Sequence, residues 1–332
     1  DFTELFCGWA WDYFLESGDR RTLELAHPAM VAICGYLARH RDPRTGLVTD
    51  LTGGSGPYRG GIVDWPPSMR HGYDMAVAAR TTVNVLAVDA MRKTTLAAAA
   101  LGRPAPGLRA AAADLARAID ARLRREDGIY VDGLHAGGRR SEGTSQIANA
   151  YPLAYGLVHP AARGRVGRHV ADLGMRMGPM TAGRLLDALH ACGRIDQLLA
   201  RLTDRVGPGW ANVLARGGTC TWESWDAPET GTSLSHGWGA DVLVAIQRHV
   251  LGVTVTRPGG ARVAIRPGFT AVPAAAGTVP TQRGTVAVEW EPARGGVRLR
   301  VAAPAGVEAA LCLSEGPRRL DPGPKEFHIT SI

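Results

Sequence analysis

The amino-acid sequence predicts a mainly α fold: an incomplete toroid of antiparallel helix hairpins, followed by a small antiparallel β-sandwich. Three observations carry the prediction. Up to about residue 252, apolar residues recur at helical spacing in segments joined by short polar or glycine-containing turns such as RREDG and HACGR. No fixed repeat period marks an α-solenoid. From about residue 253 the apolar pattern switches to a period of two.

The helices follow in order. ELFCGWAWDYFLESG carries apolar residues at helical spacing and stops at Gly18. TLELAHPAMVAICGYLARH begins a second helix, with Thr22 as its N-cap. A Gly/Pro-rich loop spans residues 43–72, and further helices are expected near 74–100, 107–125, 142–157, 160–174, 179–192, 195–204 and 233–251. In the tail, TVAVEWEP sets Val286, Val288 and Trp290 on one face against Ala287 and Glu289. GVRLRVAAP repeats the alternation, and the intervening ARGG turn makes the two a hairpin. ARVAIRPG and VEAALCLSEG supply further strands. The expected boundaries are thus 1–252 for the helical domain, 253–316 for the β-domain and 317–332 for a loose terminus.

Composition narrows the function classes. The 332 residues carry a formal charge of +7, but lysine occurs only at Lys93 and Lys325 and the arginines are spread along the chain. That pattern points away from nucleic acid as a partner. No run of eighteen apolar residues is present to span a membrane. Cys7, Cys34, Cys192, Cys220 and Cys312 are odd in number, far apart and without a CxxC pair. Neither a zinc site nor a disulfide framework is signalled, no cofactor motif occurs, and reduced, mostly buried thiols tilt the compartment toward the cytoplasm. HExxH, GxSxG and phosphate-loop patterns are missing as well.

In a helical toroid the loops at one end line a central pit, so crowded loop residues attract attention. One such loop, GGIVDWPPSMRHGYDM, holds Asp64, Trp65, Arg70, His71, Tyr73 and Asp74. The other, TCTWESWDAPETGTSLSHGWG, holds Trp222, Glu223, Trp225, Asp226, His236 and Trp238, three of the eight tryptophans of the chain. Trp9 and Trp11 could extend the same aromatic set. Sugar rings stack their C–H faces on aromatic rings and engage carboxylates through their hydroxyls. An indole beside Glu223 would also raise its pKa by desolvation. A structural reading stands beside each of these. Trp222-Glu223-Ser224-Trp225 could be a packed corner with a capping glutamate. Asp64 could be a turn residue paired with Arg70, and His236 a satisfied structural histidine.

GGTCTWESWD followed by SLSHGWGA resembles the stretch that closes the catalytic barrel of bacterial α-L-rhamnosidases, glycoside hydrolase family 78. GIVDWPP is similar to that family's Asp-Trp loop, SQIANAYPLAYGLV and MTAGRLLDALHACGR to its late barrel helices, and VPTQRGTVAVEW to its C-terminal β-domain. The resemblance covers nearly the whole chain. It implies an (α/α)6 barrel, an inverting mechanism and release of terminal L-rhamnose, with a rhamnoside as the carbohydrate partner. By position it implies Glu223 as general base, and Asp64, Trp65 and His236 as sugar contacts. The two crowded loops add Arg70, Trp222 and Trp225 to the expected substrate site. The family's general acid lies in an acidic motif upstream of the matched region, so the expectation is a fragment lacking that acid and exposing apolar surface on its first helix pair. The alternatives are a catalytically silent carbohydrate-binding protein, another (α/α)6 glycosidase, or a lyase using Arg70, His71 and Tyr73.

Overall fold

The computed structural model describes residues 1–52, 58 and 60–330; the part of the expected 43–72 loop at 53–57 and 59 lies outside them. The chain divides into two compact units, residues 1–9 with 24–241, and residues 10–23 with 242–332.

The helices form where the apolar spacing demands. α1 spans Phe2–Ser17, α2 Arg20–Arg39, α3 Thr81–Leu101 and α4 Leu108–Leu123. α5 spans Gln146–Ala154, α6 Pro160–Asp172, α7 Ala182–Ala191 and α8 Ile195–Thr203. Three short helices complete the series: α9 at Trp210–Ala215, α10 at Ala227–Thr230 and α11 at Asp241–Ala245, the last running into a π-turn at Ile246–Val250. Sequence periodicity misses α9 and α10, which are a turn or two long and show no period. It also starts α3 seven residues early and begins the last helix eight residues before α11. The cap of α2 is Asp19, whose carboxylate accepts from the Thr22 backbone N–H (3.1 Å) and hydroxyl (2.6 Å); Thr22 itself is not the cap.

Helices pack in two layers. α3, α5 and α7 touch in series, and each also packs on its sequence neighbour, α4, α6 or α8. α3 and α5 are buried on nearly all sides, whereas α4 and α6 bury one stripe each. On the first helix pair, Phe2, Trp9 and Tyr13 of α1 and Leu25 and Val31 of α2 are exposed, as expected. Two strands of two residues, β1 at Ala79–Arg80 and β2 at Gly133–Leu134, pair antiparallel among the helices. The sequence reading placed no strand before residue 240. The pair forms because the chain before α3 and the hairpin before α5 run side by side, not from any local alternation.

A repeated device ties these entries down. In the first turn of α3, the Asn84 amide accepts from Val48 N (2.7 Å) and donates to Val48 O (3.0 Å) and Arg80 O (2.9 Å). At the equivalent position of α5, Asn149 accepts from Tyr130 N (2.8 Å) and donates to Tyr130 O (2.9 Å) and Ser145 O (3.0 Å). Both side chains are fully buried. Each asparagine completes the backbone pairing of a loop residue as a neighbouring strand would.

The second unit contains two four-stranded sheets. One is ordered β10-β7-β6-β5 and the other β3-β4-β8-β9. The strands are β3 Val253–Arg257, β4 Arg262–Ile265, β5 Ala275–Thr281, β6 Gly284–Ala293, β7 Gly296–Ala303, β8 Glu308–Leu313, β9 Gly316–Leu320 and β10 Gly323–Ile329. Val286, Val288 and Trp290 point into the core as their alternation requires, and Gly295 (φ 77°) turns the β6–β7 hairpin. Pairings are antiparallel except β4–β8, which are parallel. The expected loose terminus at 317–332 is not loose over its described residues. β9 pairs with β8 and β10 with β7, held by backbone bonds that a polar, half-exposed sequence does not advertise.

Replacing Asn149 with Ala leaves the buried N–H and C=O of Tyr130 unpaired. Urea unfolding should show a loss of about 2–4 kcal/mol; a loss below about 0.5 kcal/mol would show that the loop does not depend on this contact.

Candidate active site

The two loops singled out in the sequence meet. Trp65 Nε1 donates to Glu223 Oε1 at 2.9 Å, across 158 residues of chain. Each side of that contact is prepared by its own loop.

The Glu223 side is an irregular hairpin closed on itself. Glu223 N donates to Ser233 O (2.9 Å), His236 N donates to Thr221 O (2.8 Å), and the Ser224 and Thr232 hydroxyls bond at 2.7 Å. Side chains alternate along it, so Trp222 and Ser224 are buried while Glu223 between them is half-exposed. Trp225 is buried too; its Nε1 donates to Met177 O (2.7 Å), and its ring meets Trp210 edge-on at 5.2 Å. Trp222 lies under the Arg216 guanidinium, 5.1 Å from the ring centroid. Two of the three tryptophans therefore anchor the corner from below. Trp238 instead lies tilted against His236, with ring centroids 4.0 Å apart and planes inclined at 46°.

Glu223 Oε2 accepts from Ser233 N at 2.9 Å, so both carboxylate oxygens are held. That backbone donor first, then the Trp65 indole, and finally the charge of His236 pull the Glu223 pKa below the ordinary glutamate value. This reverses the expected upward shift: indole N–H donation outweighs indole desolvation at a half-exposed carboxylate.

The Trp65 side depends on Asp64. Its carboxylate is buried and accepts from Trp65 N (2.8 Å), Gly178 N (2.7 Å) and the Thr181 hydroxyl (2.6 Å). Burial pushes its pKa up to about 7 against the pull of these donors and of Arg70. Gly178 is required by closeness: a Cβ there would lie 2.6 Å from Met69 Cβ and 2.9 Å from Asp64 Oδ1. Just before Asp64, Val63 sits in the left-handed region (φ 69°), a strained conformation for a β-branched residue. The Asp1 carboxylate holds that segment by accepting from Ile62 N (2.7 Å) and Val63 N (2.8 Å). The Trp65–Pro66 bond is cis, and Tyr58 lies against the Trp65 ring at 5.8 Å.

These positions refine the expected site. Trp65, Glu223 and His236 come together at one end of the helices. Asp64 is adjacent, but it is saturated and buried beneath the loop, where it cannot reach a sugar. Arg70 donates to Ile62 O (3.0 Å) and Asp64 O (3.2 Å), bracing the loop instead of pairing with the Asp64 carboxylate. Trp222 and Trp225 are core. The lyase set disperses: Tyr73 is buried with its hydroxyl on Asp132 O, its pKa driven up by desolvation, and burial lowers that of His71. Trp9 is exposed on α1 and Trp11 packs on Phe14 in the same helix. Sequence reasoning missed Gly178, Thr181, Ser233 and Asp1, which act through backbone or hydroxyl contacts that carry no motif. Among the described residues no group of three His, Cys, Asp or Glu could hold a metal, and no helix is long and apolar enough to cross a membrane. The cysteines are free, though only Cys7 and Cys34 are buried and Cys220 is exposed.

Paired helices whose end loops present an ionised carboxylate between an indole and an imidazole have the architecture of a helical glycosidase domain. Residues 3–250 match the bacterial α-L-rhamnosidase 6-hairpin glycosidase domain, and residues 252–328 match the bacterial α-L-rhamnosidase C-terminal domain. The chain belongs to the bacterial α-L-rhamnosidase 6-hairpin glycosidase family. An α-L-rhamnosidase of Alteromonas sp. (strain LOR) is 24% identical over 315 residues, which are 90% of this chain and 33% of that protein. The crystal structure of the family 78 rhamnosidase of Bacillus sp. GL1 superposes with a TM-score of 0.77 at 25% identity, covering 92% of this chain and 32% of that one. The Streptomyces avermitilis α-L-rhamnosidase, solved in complex with L-rhamnose, shares the fold with a TM-score of 0.78 at 22% identity, over 96% of this chain and 32% of that one. The chain thus spans about a third of the length of the relatives it matches.

Asp64 gives the site a pH signature. Its folded pKa, about 7, is raised above the ordinary 3.8, so its contribution to stability is complete below about 3.8 and lost as pH rises through about 7. Asp64→Asn cannot ionise. Between pH 5 and pH 8 the variant should gain of order 2 kcal/mol relative to wild type in urea unfolding; parallel pH profiles would show that Asp64 is ionised throughout.

Proposed function

We propose that this chain forms the base-bearing part of an inverting α-L-rhamnosidase, which releases terminal L-rhamnose from glycosides. The observation that carries the reading is the two-point hold on Glu223, by the Trp65 indole N–H and the Ser233 backbone N–H. A general base must be ionised and aimed before substrate arrives, and these two donors do both. With its oxygens fixed, Glu223 keeps lone pairs directed at a water on one side of the scissile bond. Trp65 and the tilted His236–Trp238 pair supply the apolar ring and polar edge that a deoxy sugar presents surfaces for.

Inversion needs a second carboxyl, about 6.5–9.5 Å from the first, to protonate the leaving oxygen. Asp64 and Asp1, the carboxyls built into the Trp65 loop, are committed to backbone and hydroxyl donors. The reading follows the family resemblance in assigning the general acid to a part of the complete enzyme outside these residues.

In the complete enzyme, Glu223→Gln should lower kcat by about 10²–10⁴-fold with KM nearly unchanged, since the lost basicity acts in the transition state. Hydrolysis of an aryl α-L-rhamnoside should give the inverted sugar first, by NMR of the anomeric proton. Retention of configuration, or a Gln variant of near-wild-type activity, would refute the assignment. Ordinary turnover by residues 1–332 alone would refute the placement of the acid.

A further inference from the structure

The connection after α2 and the hairpin before α5 enclose a concavity whose chemistry differs from that of the Glu223 site. Two adjoining clefts, of about 440 Å³ and 400 Å³, share Arg44, Thr45, Leu134, Gly137 and Gly138 in their walls. The smaller is lined by Arg44, Arg122 and Arg140 and by no carboxylate. Arg39 and Arg41 extend the basic wall into the larger, which also holds Asp42 and Asp50. The balance is five arginines against two aspartates.

Two arginines of the smaller cleft, Arg122 and Arg140, are held by carbonyl groups, and the third, Arg44, faces a carboxylate. Arg122 donates to Arg44 O (3.3 Å), and Arg140 donates to Arg122 O (2.7 Å) and Ala121 O (3.2 Å). Arg44 meets Asp42 only at 3.5 Å, and that carboxylate also accepts from Arg44 N and the Thr45 hydroxyl. Carbonyls orient Arg122 and Arg140 without neutralising them, so their repulsion with Arg44 is offset by Asp42 and by solvent at these exposed side chains but not cancelled. An oxyanion in the cleft would relieve it and find planar donors suited to two-point contact. The hairpin tip leaves room for one: a Cβ added at Gly137 or Gly138 would meet nothing within 4 Å.

We propose that this cleft binds an anionic carbohydrate, a chain bearing carboxylate or sulfate groups. Its place in the fold selects that ligand class. The cleft is walled by residues 39–50, which follow α2, and by the 134–140 hairpin, which precedes α5. The same connection after α2 carries Trp65, and His135 of the hairpin pairs with Asp74 of that connection at 3.2 Å. The basic cleft and the Glu223 site are thus formed by one continuous set of loops at one end of the helices. The connection that carries Trp65 therefore also walls the cleft, and a glycan bound there would touch a loop of the proposed glycosidase site. The choice of a carbohydrate rests on the glycosidase reading; the test below reads binding alone and stands apart from turnover.

The experiment is calorimetric titration of the 332-residue chain with three oligosaccharides of equal length: a galacturonide, a sulfated galactan and a neutral glucan. At low salt one or both anionic ligands should bind, and affinity should fall about tenfold when salt is raised to roughly 0.2 M. Preference between the two identifies carboxylate or sulfate as the natural group. Arg44→Glu and Arg122→Glu, both at exposed positions, should each weaken anionic binding about tenfold and leave the thermal melting profile unchanged. Arg318→Glu, in the β-domain, is the charge control and should have no effect on binding. Equal affinity for neutral and anionic glycans would overturn the proposal. So would indifference to both cleft reversals, or tighter binding of a DNA oligonucleotide than of either acidic glycan.

Discussion

The buried carboxylate of Asp64 is the constraint on which the site depends. It gathers three donors from two parts of the chain, Trp65 N, Gly178 N and the Thr181 hydroxyl. The loop after α2 is thereby fastened to the entrance of α7. A carboxylate stripped of water needs those donors, so neither segment can shift without leaving one buried group unpaired. The strained backbone at Val63 is tolerated for the same reason: the surrounding bonds over-determine it. With the loop fixed, the Trp65 indole has one place to go, and Glu223 is there. Removing the Gly178 backbone from its close approach, with any side chain at that position, would break the same connection.

The helical frame supplies the ends that such loops require. Asn84 and Asn149, one turn into α3 and α5, bind the loops beside them as a β-strand would. In the other connection, Gln146 performs a related task, donating to Val170 O and Gly174 O and accepting from Arg176 N. Irregular loops buried at the ends of the helices would otherwise carry unpaired backbone groups. Amide side chains on the inner helices allow non-helical backbone to sit deep and still be satisfied. Rigid loops can then present a reactive carboxylate, which a fluctuating loop could not aim.

How much of this was legible in the sequence follows from which interactions leave a local trace. Helix periodicity and the switch to alternation near Gly252 are properties of neighbouring residues, so the α then β order reads directly. The Trp-Glu-Ser-Trp and Asp-Trp stretches concentrate unusual side chains, so Trp65 and Glu223 could be named. The division of labour within them could not. Trp222 and Trp225 read as sugar platforms but are core, because burial depends on Trp210, Met177 and Arg216, which are distant in sequence or silent. Asp64 reads as a sugar contact by resemblance alone, and nothing nearby in the sequence announces Thr181 or Gly178. β10 was missed since its pairing with β7 is a backbone affair, indifferent to its Lys, Glu and His. The downward direction of the Glu223 shift is not legible locally, because its largest cause is the Ser233 backbone N–H, ten residues on, and the next is the N–H of the Trp65 indole, which also presents apolar surface.

The central claim is that the Trp65 indole, placed by Asp64, holds Glu223 ionised and oriented. Its most direct test is a carbon-13 NMR titration of the Glu223 side-chain carboxyl, in the wild-type chain and in Trp65→Phe. The account predicts a wild-type midpoint below the ordinary glutamate value of 4.5, and an upward move when the indole N–H is removed. A wild-type midpoint at or above that value, or one unmoved by Trp65→Phe, would contradict it.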